Sequence, residues 1–194
     1  MTVYSPPGFT VSIRTPVGAS FGLIGGAIAA GEINEKSAEF TKAVAAQGFS
    51  VQQALTEQLK ADLEAEGYAV DLVPATRSGD SFLRSYPQGS GGEAWLDVVV
   101  KDHSVGYRAA GNKTSYYPYV LVSAQLVGPG GGVLYSQQLV YNPIHPPKNA
   151  RTIAPSGEYA YANFDQLMAD PARATAGLKQ AVAQIAAAIA ADLK

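Results

Sequence analysis

Apolar residues recur along this chain with the period of a helix in three places. Residues 50–53 read Ser-Val-Gln-Gln, a capping box, and leucines recur at every fourth position from there until Gly67, which predicts a helix closed by a left-handed residue. A charged amphipathic stretch over residues 32–47 predicts another helix before it. Residues 171–194 begin with proline and repeat aliphatic side chains at spacings of three and four, which predicts a long C-terminal helix with one apolar face.

Alternating apolar and polar residues predict strands. The segments with this pattern are residues 9–14, 68–73, 93–100, 116–127 and 133–141. The last two are joined by a glycine-rich turn, which indicates a β-hairpin. The order of these elements predicts an α+β fold, in which helices are layered on one face of a mainly antiparallel or mixed sheet of about four to five strands.

The length of 194 residues predicts a single domain over residues 1–194. Residues 17–31 form a glycine-rich apolar segment that is too short to cross a bilayer. Residues 76–92, rich in glycine and serine, and residues 143–163, rich in proline, are predicted to be long loops, the first of them mobile.

Charge and residue usage exclude several classes of function. The net charge of −2 argues against a nucleic-acid partner, which would demand clustered basic residues. The absence of cysteine excludes disulfide scaffolds, thiol catalysis and cysteine-ligated metals. The two histidines, His103 and His145, lie far apart in the sequence without metal-ligand spacing. We therefore expect no metal and no cofactor.

One short motif matches a catalytic pattern. Residues 18–22 read Gly-Ala-Ser-Phe-Gly, the G-x-S-x-G of a nucleophile elbow with Ser20 as nucleophile. A triad would also need His103 or His145 and an acid such as Asp97 or Asp102. Too few residues precede Ser20 to build the sheet that such an elbow requires. We expect no catalytic residue, with a serine hydrolase at Ser20 as a remote alternative.

Two groups of residues are candidates for an interaction surface. Small residues recur at every fourth position in the glycine-rich segment, where a helix would form a smooth ridge for close contact with another helix or with lipid; packing inside the domain is the alternative. Aromatic residues, which suit binding surfaces, could instead cover the half-exposed face of the sheet. The candidate residues are Gly18, Gly22, Gly26, Ala30, Trp95, Tyr116, Tyr117, Tyr119, Tyr135, Tyr159 and Tyr161.

Two segments resemble bacterial cell-envelope lipoproteins. Residues 22–31 read Gly-Leu-Ile-Gly-Gly-Ala-Ile-Ala-Ala-Gly, and residues 54–68 read Ala-Leu-Thr-Glu-Gln-Leu-Lys-Ala-Asp-Leu-Glu-Ala-Glu-Gly-Tyr before a predicted strand. In those lipoproteins a glycine-rich start follows the lipidated cysteine, and a helix ending in Glu-Gly-Tyr leads into a strand. The arrangement is also similar to the amino-terminal domain of the Tol propeller protein and to the curli-secretion lipoproteins.

The resemblance implies a non-enzymatic periplasmic domain that binds other envelope proteins or itself. It also implies peripheral contact with the outer membrane through a lipid anchor. Because this sequence contains no cysteine and its first residues lack the pattern of a signal peptide, the leader and the anchor would belong to a preceding segment. The alternative is a module that binds a small ligand, a glycan or a lipid, between Trp95, Tyr117 and Tyr159.

Overall fold

Helices cover one face of a mixed sheet. The computed structural model describes residues 1–4, 11–14, 23–77, 80–87, 93–109 and 115–194. The strands are β1 (Thr2–Tyr4), β2 (Val11–Arg14), β3 (Asp71–Val73), β4 (Trp95–Ala109), β5 (Tyr116–Val127), β6 (Val133–Tyr141) and β7 (Arg151–Ile153). The helices are α1 (Leu23–Ala46), α2 (Val51–Ala65), α3 (Phe164–Ala169) and α4 (Pro171–Asp192). The predicted α+β class is confirmed.

The sheet of the described residues has seven strands, more than the four to five expected. Its order is β3-β1-β4-β5-β6-β7, and β2 also pairs with β4. The β4–β5 and β5–β6 pairs are antiparallel. Strand β1 pairs in parallel with both β3 and β4, β2 pairs in parallel with β4, and β7 pairs in parallel with β6. Strands β1, β3 and β7 span only three residues each. Strand β3 lies at the end of the predicted strand 68–73, whereas β1 and β7 are too short for alternation to be visible in the sequence.

The two predicted loops differ from expectation in different ways. Segment 143–163 contains β7 and a 3₁₀ turn at Gly157–Tyr159, so it is not one long loop. The described parts of segment 76–92 form neither helix nor strand, as predicted. The part over residues 80–87 is nevertheless tied to the sheet, because it bonds to Asp97 of β4.

Strand β4 is longer than predicted, and the set of its residues that face the helices changes halfway along it. Its register against β5 shifts between Val100 and Val105. Before the shift Val98 and Val100 belong to the core beneath the helices, and after it Val105 and Tyr107 do. This irregularity moves the core-facing positions from even to odd residue numbers, as a bulge does. The alternation that predicted the strand therefore breaks after residue 100, where the predicted strand ended.

Helix α2 begins and ends where the sequence predicts. The Ser50 hydroxyl accepts from the Gln53 backbone N–H at 3.3 Å, and Gly67 has a φ of +91°, which favours glycine. Helix α4 packs against α2 and against β5, and its buried side chains complete the apolar core. Within the described part of the chain, no helix has the length and apolarity needed to span a membrane.

The core lies between the helices and one face of the sheet, here called the helix-covered face. Tyr107 of β4 lies at its centre, with ring centroids 5.7 Å from Phe40 and 5.6 Å from Tyr161. Its hydroxyl donates to the Ala174 carbonyl of α4 at 3.0 Å. A Cβ at Gly177 would lie 2.4 Å from that hydroxyl, so glycine is required for α4 to approach the sheet this closely.

Candidate functional site

A buried carboxylate organises the other face of the sheet, here called the opposite face. Asp97 of β4 is fully buried and forms an ion pair with Arg77, whose side chain is 3% exposed. The Leu83 backbone N–H donates to Asp97 Oδ2 at 2.8 Å, and the Tyr86 hydroxyl donates to the same oxygen at 2.6 Å. Arg77, Leu83 and Tyr86 thus meet at the side chain of Asp97, and these four residues are here called the Asp97 cluster.

The Asp97 cluster fixes the loop over residues 83–87 against the sheet. The loop places the Tyr86 ring over the Trp95 ring, with centroids 6.4 Å apart and planes inclined by 27°. Trp95 is thereby 3% exposed, although it faces away from the helices. A buried charge of this kind is stable only while its partners remain in place, so the position of the loop depends on Asp97.

A cleft of about 340 Å³ opens between this loop and the β5–β6 hairpin. One wall is formed by residues 83–87, and Trp95 lies at its base. The other wall is formed by residues of the hairpin, namely Gln125, Val127, Pro129, Gly131 and Val133. Arg84 is the one charged residue in the lining, and it forms no ion pair or hydrogen bond with the residues that the structure describes.

The hairpin ends in an exposed apolar tip, here called the hairpin tip, formed by Val133 and Leu134. These side chains are 57% and 67% exposed, and Leu72 at 39% is the other large hydrophobic exposed in the described ranges. The Leu134 side chain lies over the backbone of Gly128, where an added Cβ would be 3.1 Å from Leu134 Cδ1. The hairpin contains no charged residue between Tyr116 and Tyr141, so the tip and its wall of the cleft are neutral.

The structure buries much of the aromatic surface proposed from the sequence. Trp95, Tyr116, Tyr119 and Tyr161 are buried, and Tyr116 and Tyr161 belong to the core. They are therefore not accessible to a partner in this conformation. Tyr117, Tyr135 and Tyr159 remain half-buried. They are dispersed: Tyr159 contacts Gly177 of α4, whereas the Tyr135 hydroxyl donates to Asp192 at 3.0 Å.

The three rings proposed to hold a glycan or a lipid do not meet. Trp95 pairs with Val127 at one end of the β4–β5 ladder, whereas Tyr117 pairs with Arg108 near the other end. At about 3.3 Å per residue, Tyr117 and Val127 are roughly 30 Å apart along β5. Tyr159 lies at α4, on the helix-covered face. The cleft, unlike this triplet, brings its lining residues together around a ligand-sized volume.

The proposed glycine ridge and the proposed nucleophile fall largely on residues that are not described. Gly18, Gly22 and Ser20 lie outside the described residues. Gly26 and Ala30 lie within helix α1, as the ridge interpretation requires. Of the acids considered for a triad, Asp97 is already bonded to Arg77, Leu83 and Tyr86.

Burial raises the pKa of tyrosines on the helix-covered face. The pKa of Tyr107 lies well above its usual range, first because the hydroxyl is buried and then because Tyr161 lies nearby. The pKa of Tyr135 is also raised, first by burial and then by its hydrogen bond to the Asp192 carboxylate. Both groups therefore remain neutral at physiological pH and act as hydrogen-bond donors.

No group of three or more metal-ligating side chains was found among the described residues. No model of a known protein family matches the chain, and no curated protein matches its sequence. The features of the described residues that bear on function are the Asp97 cluster, the cleft and the hairpin tip.

The sequence interpretation missed the Asp97 cluster, although a signal for it was present. Asp97 stands between Leu96 and Val98 in an apolar strand, where a carboxylate requires a buried partner. Arg77 and Arg84 precede it in a segment otherwise rich in glycine and serine. The pattern indicates that this segment folds back onto the strand, but not which arginine forms the pair.

Proposed function

We propose that this chain is a non-enzymatic binding domain of the bacterial cell envelope, and that it binds another envelope protein through the hairpin tip and the adjoining cleft. The observation that carries the proposal is the adjacency of Val133 and Leu134, both more than half exposed, to a cleft with Trp95 at its base. Single exposed apolar residues are common, whereas neighbouring ones beside a cleft are typical of interaction sites.

The neutrality of the hairpin also favours a protein partner. A charged side chain must lose its water when an interface forms, and this desolvation opposes binding. Between Tyr116 and Tyr141 the hairpin offers only apolar and uncharged polar groups. Depletion of charge and the presence of aromatic residues are features of the centre of protein interfaces.

The proposed location is the periplasm, with a lipid anchor on a preceding segment that holds the domain at the outer membrane. Its support is the likeness of residues 22–31 and 54–68 to envelope lipoproteins. Fractionation of the full-length gene product tests it. We expect the protein in the outer-membrane fraction, released by detergent and retained in high salt; an exclusively cytosolic pool would contradict the location.

Site-specific photo-crosslinking in cells tests the binding surface. A photoreactive phenylalanine at Leu134 should give a discrete adduct, and the same residue at Lys179, which is exposed on α4, should not. The adduct should be lost when Val133→Ser is added. Equal labelling at both positions, or none at Leu134, would overturn the proposed surface. An adduct with the mass of a dimer would identify the partner as a second copy of the chain.

A second candidate function is binding of a small glycan or lipid, which the cleft volume of about 340 Å³ favours, since ligand sites begin at roughly 300 Å³. Thermal-shift measurements with envelope glycans and lipids separate the two functions. Stabilisation of the wild type that is lost in Tyr86→Ala would establish the small-ligand function. Absence of any stabilisation would exclude it and leave the protein partner.

A further inference from the structure

We propose that the cleft binds a peptide segment in which a carboxylate neighbours an apolar side chain, with Arg84 as the counter-ion. The inference rests on the proposed function and names the chemistry of the partner. The apolar side chain enters between Tyr86 and Val127, the carboxylate contacts the Arg84 guanidinium at the rim, and the peptide continues over Val133 and Leu134.

The charge distribution around the cleft selects an anion. Arg84 is exposed, has no ion-pair partner in the described ranges, and is the one charged side chain in the lining. The facing wall belongs to a hairpin without charged residues between Tyr116 and Tyr141, so that wall offers no carboxylate to Arg84. The second cation of the loop, Arg77, is buried in its pair with Asp97. A guanidinium left unpaired beside a neutral wall pairs best with a carboxylate, which it can bind through two hydrogen bonds.

The extent of the exposed apolar surface favours a peptide over a small molecule as the ligand. The cleft itself, at about 340 Å³, has room for little more than one large side chain and its neighbours. Exposed apolar side chains are present beyond the lining of the cleft, because Leu134, the residue after Val133 in β6, is 67% exposed and does not line the cleft. An occupant that covers both the cleft and the hairpin tip must be longer than the group that fills the cleft.

The Asp97 cluster prepares the cleft before binding. Leu83 and Tyr86 both donate to Asp97 Oδ2, at 2.8 and 2.6 Å, and Arg84 lies between them in the sequence. The backbone that carries Arg84 is therefore fixed on both sides by one buried carboxylate. A wall held in place before the peptide arrives lowers the entropic cost of binding, so Asp97 is a positioning residue for this site.

Trp95 supplies the readout, because it is the sole tryptophan of the chain and lies at the base of the cleft. The experiment selects binders from a random heptapeptide library on the full chain, then titrates the best peptide while Trp95 emission is recorded. The expected peptides carry Asp or Glu beside an aliphatic or aromatic residue. Their binding should shift the emission saturably, and changing the peptide's carboxylate to an amide should weaken affinity about fivefold, as loss of one exposed ion pair does.

A mutant cycle assigns the effect to Arg84. In Arg84→Gln the acidic peptide and its amide should bind equally, whereas in Lys179→Gln, which removes a positive charge from α4, the fivefold difference should persist. Selection of peptides without acidic residues, absence of a saturable emission change, or an unaltered difference in Arg84→Gln would each overturn the inference. So would an emission shift with phosphatidylglycerol–phosphatidylcholine vesicles but with no peptide, which would make a lipid surface the occupant.

Failure of this inference is distinguishable from failure of the proposed function. If crosslinking at Leu134 succeeds in cells and is unchanged by Arg84→Gln, the protein partner stands and the carboxylate chemistry is wrong. If acidic peptides bind the purified chain but no adduct forms at Leu134 in cells, the cleft binds peptides and the envelope function is wrong.

Discussion

The two faces of the sheet are built on different principles. On the helix-covered face, aliphatic and aromatic side chains from β4, β5 and α4 form a continuous core, with Gly177 allowing α4 to lie against Tyr107. At one end of the opposite face, a buried ion pair, an aromatic pair and a cleft take the place of a helix. An apolar covering would stabilise that end at least as well as an ion pair does.

The comparison separates features needed for folding from features that folding does not explain. The helix-covered face is explained by burial of apolar surface together with the hydrogen bonds of its tyrosine hydroxyls. The exposed hairpin tip, the unpaired Arg84 and the cleft contribute no comparable burial. Features that stability does not require are the natural place to look for function, which is why the proposed binding surface lies there.

The largest effect on stability at the cleft is expected from Asp97→Asn. The substitution removes the carboxylate that pairs with the buried Arg77 guanidinium, and loss of one partner of a buried ion pair costs about 3–5 kcal/mol. Urea unfolding measures the loss, and a red shift of Trp95 emission reports release of the loop over residues 83–87. The double variant Arg77→Leu with Asp97→Leu should lose less than Asp97→Asn, because it buries no charge. A loss below about 1 kcal/mol in Asp97→Asn would contradict the structural role of the cluster.

A substitution on the helix-covered face that lowers the free energy of unfolding by a comparable amount should leave the cleft unchanged. Ile185 of α4 is fully buried, and Ile185→Ala should lower the free energy of unfolding by about 3 kcal/mol. Native Trp95 emission should stay as in the wild type, because Trp95 faces away from α4. Gln184→Ala, at an exposed neighbouring position, is the matched control and should change stability little. Altered native emission in Ile185→Ala would show that the two faces are coupled.

Alkaline pH should lower the stability of the protein by ionising a buried tyrosine of the helix-covered face. The pKa of Tyr107 is raised in the folded state by burial, so the stability it contributes is fully present below the unfolded pKa of about 10 and is lost as pH rises above it. Between the unfolded pKa and the raised folded pKa of Tyr107, the free energy of unfolding should fall by about 1.4 kcal/mol per pH unit. Urea midpoints between pH 8 and pH 11 measure it, with Tyr107→Phe as the variant in which the slope should diminish. A midpoint that does not fall above pH 10 would refute the assignment.

Sequence patterns predicted the helices and strands that are determined by interactions between residues close in sequence. The helix after Ser50, the C-terminal helix and the hairpin strands β5 and β6 were predicted with nearly correct bounds, because capping, periodicity and glycine turns act over a few residues. Strand β7 was missed because three residues carry no detectable period. The second half of β4 was missed because the register shift after Val100 reverses its alternation.

The candidate site was less accessible to prediction because it is made by contacts distant in sequence. Alternation placed Trp95 and Asp97 on the face opposite to Leu96, but it could not show that Tyr86 would stack on Trp95 and hide it. For the tyrosines the sequence left two outcomes open, a binding surface or a cover for the sheet, and Tyr116 and Tyr161 lie in the core. Amphipathic rings satisfy either environment once the hydroxyl finds an acceptor, so composition alone does not separate the two outcomes.

The smallest expected effect on stability comes from the hairpin tip, and it gives the most direct test of the central claim. The double variant Val133→Ser with Leu134→Ser should keep its free energy of unfolding within about 0.5 kcal/mol of the wild type, since both side chains are exposed. The measurement is the amount of partner that affinity-tagged full-length protein retains after chemical crosslinking in cells. The account predicts a folded variant that retains no partner; undiminished partner recovery by a folded variant would contradict it.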